Sequence, residues 1–140
     1  MIRVTLDVNV LASGFPAEAG TSSMLIQRWT DLEYELVLSP HILDGLERTW
    51  QKPYFRLRYS SQQAGDALRL LRTAATIVIP AATVSGVGED LEDDLVIATA
   101  VAGNADFLVT GDKHLHGLGR FRGITILAPH QFLEWLESER

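Results

Sequence analysis

The chain is predicted to fold as a three-layer α/β/α sandwich around a central, mostly parallel sheet of five strands. Short, apolar, β-branched runs alternate with longer stretches of helical periodicity, which is the pattern of βαβ units. Capping residues, with proline at the first turn, open several of the helical stretches. Hydrophobic residues are 46% and charged residues 21% of 140, so one domain spanning residues 1–140 can bury a sizeable core.

The first strand is Ile2 to Leu6, short and apolar enough to be buried on both faces. Asp7 follows at its carboxyl end. Gly14, Pro16 and Gly20 mark a loop, and Thr21 or Ser22 caps a helix carrying Met24, Leu25, Ile26 and Trp29. Glu35 to Leu38 is the second strand. Ser39-Pro40 caps and opens a helix that Pro53 stops, with Ile42, Leu43, Leu46 and Trp50 on one core face. Residues 53–56 form an aromatic and basic connection. Ser60 or Ser61 caps the next helix, which runs through Arg72 with Ala64, Ala67, Leu68 and Leu71 inward.

Ile77 to Ile79 is the third strand, closed by Pro80, and residues 81–88 are a loop. A helix covers roughly Glu92 to Ala102, with Leu95, Ala98 and Thr99 or Ala102 on one side, and Gly103-Asn104 ends it with residues that tolerate a left-handed turn. Phe107 to Val109 is the fourth strand and Ile124 to Leu127 the fifth. Pro129 begins a last helix with Phe132, Leu133 and Leu136 inward. Right-handed crossovers bring the carboxyl ends of the strands to one edge of the sheet, where ligands bind in such folds.

Composition narrows the chemistry. With no cysteine there is no disulfide framework, thiolate metal site or cysteine nucleophile, so a bound metal must take oxygen or imidazole ligands. No apolar run is long enough to span a membrane, and the N-terminus lacks a basic-then-apolar leader, so a cytoplasmic protein is expected. The net charge of −6 argues against coating nucleic acid by bulk electrostatics, but the charge is unevenly spread. Between residues 48 and 72 six basic side chains face one acid, Asp66, whereas Glu89, Asp90, Glu92, Asp93 and Asp94 form a run without a base. An acidic pocket beside a phosphate-holding surface fits this polarity. Solvated helix faces fit the basic part equally well.

Three acidic positions fall where the topology brings elements together: Asp7 after the first strand, Asp93-Asp94 at a helix start, and Asp112 after the fourth strand. Carboxylates gathered at one site repel one another unless a cation or a raised pKa relieves them. Hard oxygen ligands select Mg²⁺ or Mn²⁺, and an ion held in this way supports hydrolysis of a phosphodiester.

The stretches Val4-Thr5-Leu6-Asp7-Val8-Asn9-Val10-Leu11, Glu92-Asp93-Asp94-Leu95-Val96-Ile97-Ala98-Thr99-Ala100 and Ala105-Asp106-Phe107-Leu108-Val109-Thr110-Gly111-Asp112 resemble the three motifs of PIN-domain ribonucleases. Among these the chain is most similar to the single-domain toxins of bacterial toxin-antitoxin systems, over almost its whole length. The resemblance implies a Mg²⁺- or Mn²⁺-dependent endonuclease acting on RNA, often a homodimer, inhibited by a cognate antitoxin. It implies Asp7, Asp94 and Asp112 as metal-site and catalytic carboxylates, and Asn9 and Thr110 as polar supports of the pocket; Asp93, beside Asp94, is read as a further acid that assists at the metal site. In this reading Lys52, Arg56 and Arg58 guide the RNA backbone.

One position departs from the family. A glutamate is usual in the helix after the second strand, where this chain has Gly45, and the nearest acids are Asp44 and Glu47. At 100° per residue Asp44 lies roughly 100° and Glu47 roughly 160° from position 45. Three resolutions are open: a helix shift that turns Asp44 or Glu47 inward, a site completed by water and Asp93, or a weakened site. The last makes the chain a PIN-fold module that binds RNA or a protein partner, the alternative to the nuclease. A phosphatase of another α/β fold would need a second acid two residues after Asp7, where the chain has Asn9.

Other signals have plainer readings. The spacing of His41, His114, His116 and His130 matches no zinc motif, and His114 and His116 are expected on a solvent loop. Ser13 has no histidine-acid pair to activate it. Tyr54, Phe55 and Tyr59 are suited either to stacking on bases or to packing under a helix.

Overall fold

The computed structural model describes residues 1–81, 84, 86–88 and 91–139. Five strands of a six-stranded sheet arise from short apolar runs: β1 (Arg3–Leu6), β2 (Glu35–Leu38), β3 (Thr76–Ile77), β4 (Phe107–Val109) and β6 (Ile124–Leu127). The order is β3-β2-β1-β4-β6-β5, parallel throughout except where β5 (Arg120–Phe121) runs antiparallel to β6. The sixth strand corrects the expected five. Two residues carry no alternation to read, and β5 exists because Gly123, at φ +82°, turns the chain back onto β6. β3 is likewise shorter than expected, ending at Ile77.

Helices cover both faces of the sheet. On one side α1 (Val8–Gly14), α2 (Thr21–Thr30), α3 (Pro40–Trp50), the short α4 (Pro53–Arg56), α5 (Ser61–Ala74) and α8 (Pro129–Ser138) succeed one another, α1 packing on α2 and α3, and α2 on α8. α6 (Leu91–Ala102) lies across β1, β2 and β4, and right-handed crossovers put it on the opposite face. It is buried on most sides, at Asp94, Val96, Ile97, Ala98, Thr99 and Ala100, which is why it is apolar nearly all round. The last helix of this face, α7 (Lys113–His116), is a single turn.

Several caps are the expected ones. Ser39 accepts from the amide of Ile42, with Pro40 in the first turn of α3, and Ser60 forms a capping box with Gln63 at the start of α5. α2 is capped instead by Gly20, at φ +105°, and Met24 lies at the surface. α1 has no counterpart in the sequence reading, because seven residues provide too little periodicity to distinguish it from a loop. It is held by Asp7, whose carboxylate accepts from the amide of Val8 at 2.7 Å, and by Trp50, whose indole N–H donates to Ala12 O at 3.1 Å. Trp50 is fully buried, and that bond satisfies the polar atom its burial would otherwise strand.

Two contacts set the spacing around the sheet. The buried hydroxyls of Ser39 and Thr99 share a hydrogen bond of 2.7 Å that ties the start of α3 to α6. Gly103, just past α6, lies so close to β2 that a Cβ there would overlap Val37 Cγ1, and Asn104 follows in the left-handed region at φ +52°.

Candidate active site

The chain leaves β1 toward β2 on one side and β4 toward β6 on the other, so the carboxyl ends of β1 and β4 form the switch point of the sheet. The register Leu6↔Val109 sets Asp7 opposite Thr110, and the Asp7 amide donates to Val109 O at 2.9 Å. Thr110, fully buried, donates its hydroxyl to Asp7 Oδ2 at 2.7 Å, and the Thr110 Oγ1 accepts the amide of Asp112 at 3.0 Å. Asp112 in turn caps α7, its Oδ1 accepting from the His114 amide at 2.7 Å. One hydroxyl thus positions two of the acids. The His116 ring closes the back of this turn, with Nε2 against Thr110 O, so His116 is packed on the site's scaffold rather than on a solvent loop.

A cleft of about 430 Å³ opens over this edge. Asp7, Asp112, Glu92 and Asp93 line it with Asn9, and α3 contributes His41, Gly45, Arg48 and Thr49, followed by Lys52. Burial pushes the Asp7 carboxyl above the ordinary carboxylate range. The Thr110 and Val8 hydrogen bonds oppose that rise, and the negative charges of Asp112 and Glu92 add to it.

Asp94 stands apart. It is not among the residues lining the cleft, and its carboxylate accepts the amides of Gly86 (2.8 Å), Val87 (3.0 Å) and Gly88 (2.6 Å). The Gly88 amide above all, with those of Gly86 and Val87, outweighs burial and holds the Asp94 carboxyl below the usual range. Asp94 organises the turn before α6, and the cleft-facing acid of the pair is Asp93. Gly88 packs so tightly on α6 that a Cβ there would overlap Asp93 Cβ. The signal for this in the sequence is the Gly86-Val87-Gly88 run, whose three amides need an acceptor.

The other sequence candidates divide. Gly45 faces the cleft without a side chain, Asp44 is exposed away from it, and Glu47 lines a separate hollow of about 140 Å³ between α3 and α5. No helix shift turns either acid inward. Lys52 borders the cleft, but Arg56 bonds Ser61 Oγ beside the second hollow, and Arg58 lies over the Tyr54 ring at 3.8 Å and donates to Tyr54 O at 2.6 Å. Sequence reasoning misses Arg48, Glu92 and His41 as residues of the site. Arg48 follows Gly45 by three, a spacing that puts both on one face of α3, and Lys52 lies just past the helix end. Glu89 and Asp90, also in the acidic run, lie outside the described residues.

The donor set suits a hard cation: carboxylates and an amide at the mouth of a sheet, with one acid whose proton affinity burial and like charge raise. Among the described residues no three His, Asp or Glu side chains close into a cage. Mg²⁺ rarely asks for one, since it keeps several waters and binds through one or two carboxylates plus substrate phosphate.

A family model of the PIN domain matches residues 3–114. The chain belongs to the PIN domain family. Among solved structures this PIN domain is similar to the crystal structure of VapBC2 from Rickettsia felis bound to a DNA fragment from their promoter, at 15% identity and a TM-score of 0.62, covering 91% of this chain and 98% of that one. Such a likeness speaks to the fold. None of the curated proteins matches significantly. Among the described residues of this PIN domain no helix is long and apolar enough to cross a membrane.

Proposed function

We propose that this PIN domain is a Mg²⁺- or Mn²⁺-dependent endoribonuclease and the toxin of a toxin-antitoxin pair, acting in the cytoplasm and held by a cognate antitoxin. The observation that carries the reading is the convergence of Asp7, Asp93 and Asp112 on one cleft at the switch point of a PIN fold. The structural neighbour, a VapBC2 complex on DNA, supports the antitoxin partner. Homodimerisation comes with the family resemblance alone.

In this reading Asp7, Asp93 and Asp112 hold the ion. When bound, it offsets charge on the scissile phosphate and acidifies water. Thr110 fixes the Asp7 carboxylate through its hydroxyl proton and the Asp112 backbone through its oxygen, so the two acids keep their relative placement. Asn9 gives the cleft an uncharged polar edge, and Lys52 draws the RNA backbone toward the acids. Asp94 keeps the 86–88 turn folded behind Asp93.

Cleavage of single-stranded RNA by the full chain, measured with Mg²⁺, with Mn²⁺ and with EDTA, tests this. Ion-dependent cleavage lost in Asp93→Asn and Asp112→Asn supports it, and equal cleavage in wild type and both variants overturns it. RNA or partner binding without cleavage, and without divalent-ion binding by calorimetry, selects the alternative of a PIN module that Gly45 has deprived of catalysis.

A further inference from the structure

Among the described residues the cleft contains four carboxylates, and a phosphodiester entering it meets their repulsion. Beyond what a bound cation offsets, positive charge on the facing wall lowers that repulsion, and α3 supplies it. Arg48 Nη2 lies 3.5 Å from Glu92 Oε1, so the guanidinium spans the cleft from α3 to α6. Both side chains are largely exposed, at 59% and 71%, and the contact is single and long. Solvated pairs of this kind contribute little and exchange readily.

Gly45 leaves space beside the guanidinium. A Cβ at that position would sit 3.2 Å from Val8 Cγ2 and 3.7 Å from Arg48 Nη2, so a longer side chain would contest the space that the guanidinium uses. Three other arginines of the basic segment are occupied locally, Arg56 with Ser61, Arg58 with Tyr54, and Arg69 with Asp66 at 2.6 Å, and Arg72 does not line the cleft. Lys52 also borders the cleft, but an ammonium is a point charge, whereas a guanidinium can bind two phosphate oxygens at once.

We propose that Arg48 holds the RNA phosphate in the cleft and that Glu92 is the internal anion it releases in exchange. The inference rests on the nucleolytic reading above and names a positioning contact within that site. Glu92 occupies the phosphate's place in the free protein, and a polyanion that contacts Arg48 displaces the carboxylate.

The test is the affinity of the full chain for a fluorescently labelled single-stranded RNA, by anisotropy in EDTA over a range of salt. Arg48→Ala should weaken binding about tenfold and lower the salt slope by about 0.7, the value for one fewer phosphate neutralised on a single strand. Arg48→Lys should recover part of the affinity, and Arg69→Ala, at an arginine paired with Asp66, should bind as wild type does. Glu92→Gln should tighten binding several-fold in the wild-type background and leave it unchanged in Arg48→Ala. An unchanged slope in Arg48→Ala overturns the proposal, as does an equal gain from Glu92→Gln in both backgrounds, which would make Glu92 a general repulsive charge. A wild type that cleaves RNA yet fails to bind it in EDTA also overturns it and leaves the nuclease standing. A wild type that neither binds nor cleaves RNA removes both.

Discussion

Asp93 and Asp94, neighbours in sequence, have different partners at the start of α6: Asp93 lines the acidic cleft, and Asp94 is buried with its carboxylate on the amides of Gly86, Val87 and Gly88. Substitution should therefore separate function from stability. Asp93→Asn is expected to lower RNA cleavage by at least a hundredfold with little change in melting temperature. Asp94→Asn is expected to lower the melting temperature while keeping cleavage measurable below it. Cleavage assays beside thermal unfolding of the two variants check this.

The Asp94 effect should depend on pH with a definite sign. The folded-state pKa lies below the unfolded value, so the stabilisation is present above the unfolded pKa and is lost as pH falls through the folded one. The gap in melting temperature between wild type and Asp94→Asn should be full near neutrality and close in acid. A gap that is constant from neutral to acid pH would assign the effect to packing instead.

Asp7 carries the opposite sign. Burial raises its folded pKa, so its contribution to stability is complete below the unfolded pKa and is lost as pH rises through the folded value. Asp7→Asn keeps an acceptor for the Val8 amide and removes the buried charge. It should abolish cleavage yet melt at a higher temperature than wild type at neutral pH, with the difference vanishing in acid. Added Mg²⁺ or Mn²⁺ should raise the melting temperature of wild type and not of the variant, by linkage.

Thr110→Val deletes the hydroxyl shared by Asp7 and Asp112 and keeps its volume. Removing a buried hydrogen bond and stranding its partner costs about 1–3 kcal/mol of stability. Cleavage should fall about tenfold or more, and its acidic limb should move to higher pH, because Thr110 is the strongest influence holding the Asp7 pKa down. A pH-rate profile reads both effects.

Gly103→Ala should destabilise the fold without touching the cleft. The new methyl would collide with Val37 in a central strand, and overpacking of this kind costs about 1–3 kcal/mol. Denaturant unfolding measures the loss, and RNA cleavage per folded molecule should stay at the wild-type level.

The parts of the fold legible in the sequence are those with a period or a cap. Glu35–Leu38 and Ile124–Leu127 read as strands because they are apolar and bounded, and α3 because Ser39-Pro40 precedes a clean core face. α1, α7 and β5 have too few residues to show a period, and their ends are set by contacts from elsewhere: Asp7 and Trp50 for α1, Asp112 for α7, Gly123 for β5. At the site, Asp7 and Asp112 are legible from their places after β1 and β4. Choosing between Asp93 and Asp94 requires knowing where the amides of the 86–88 turn point, which is a tertiary fact. The Arg48–Glu92 contact across the cleft requires the distance between two helices.

The Ser39–Thr99 hydroxyl pair has a mechanical consequence. From that joint α3 runs out through His41, Gly45, Arg48 and Thr49 and α6 through Val96 to Asp93 and Glu92. At its far end α3 is fastened again, by the buried Trp50 on Ala12 of α1, so the wall that bears Gly45 and Arg48 is moored at both ends and keeps a fixed gauge from Asp7.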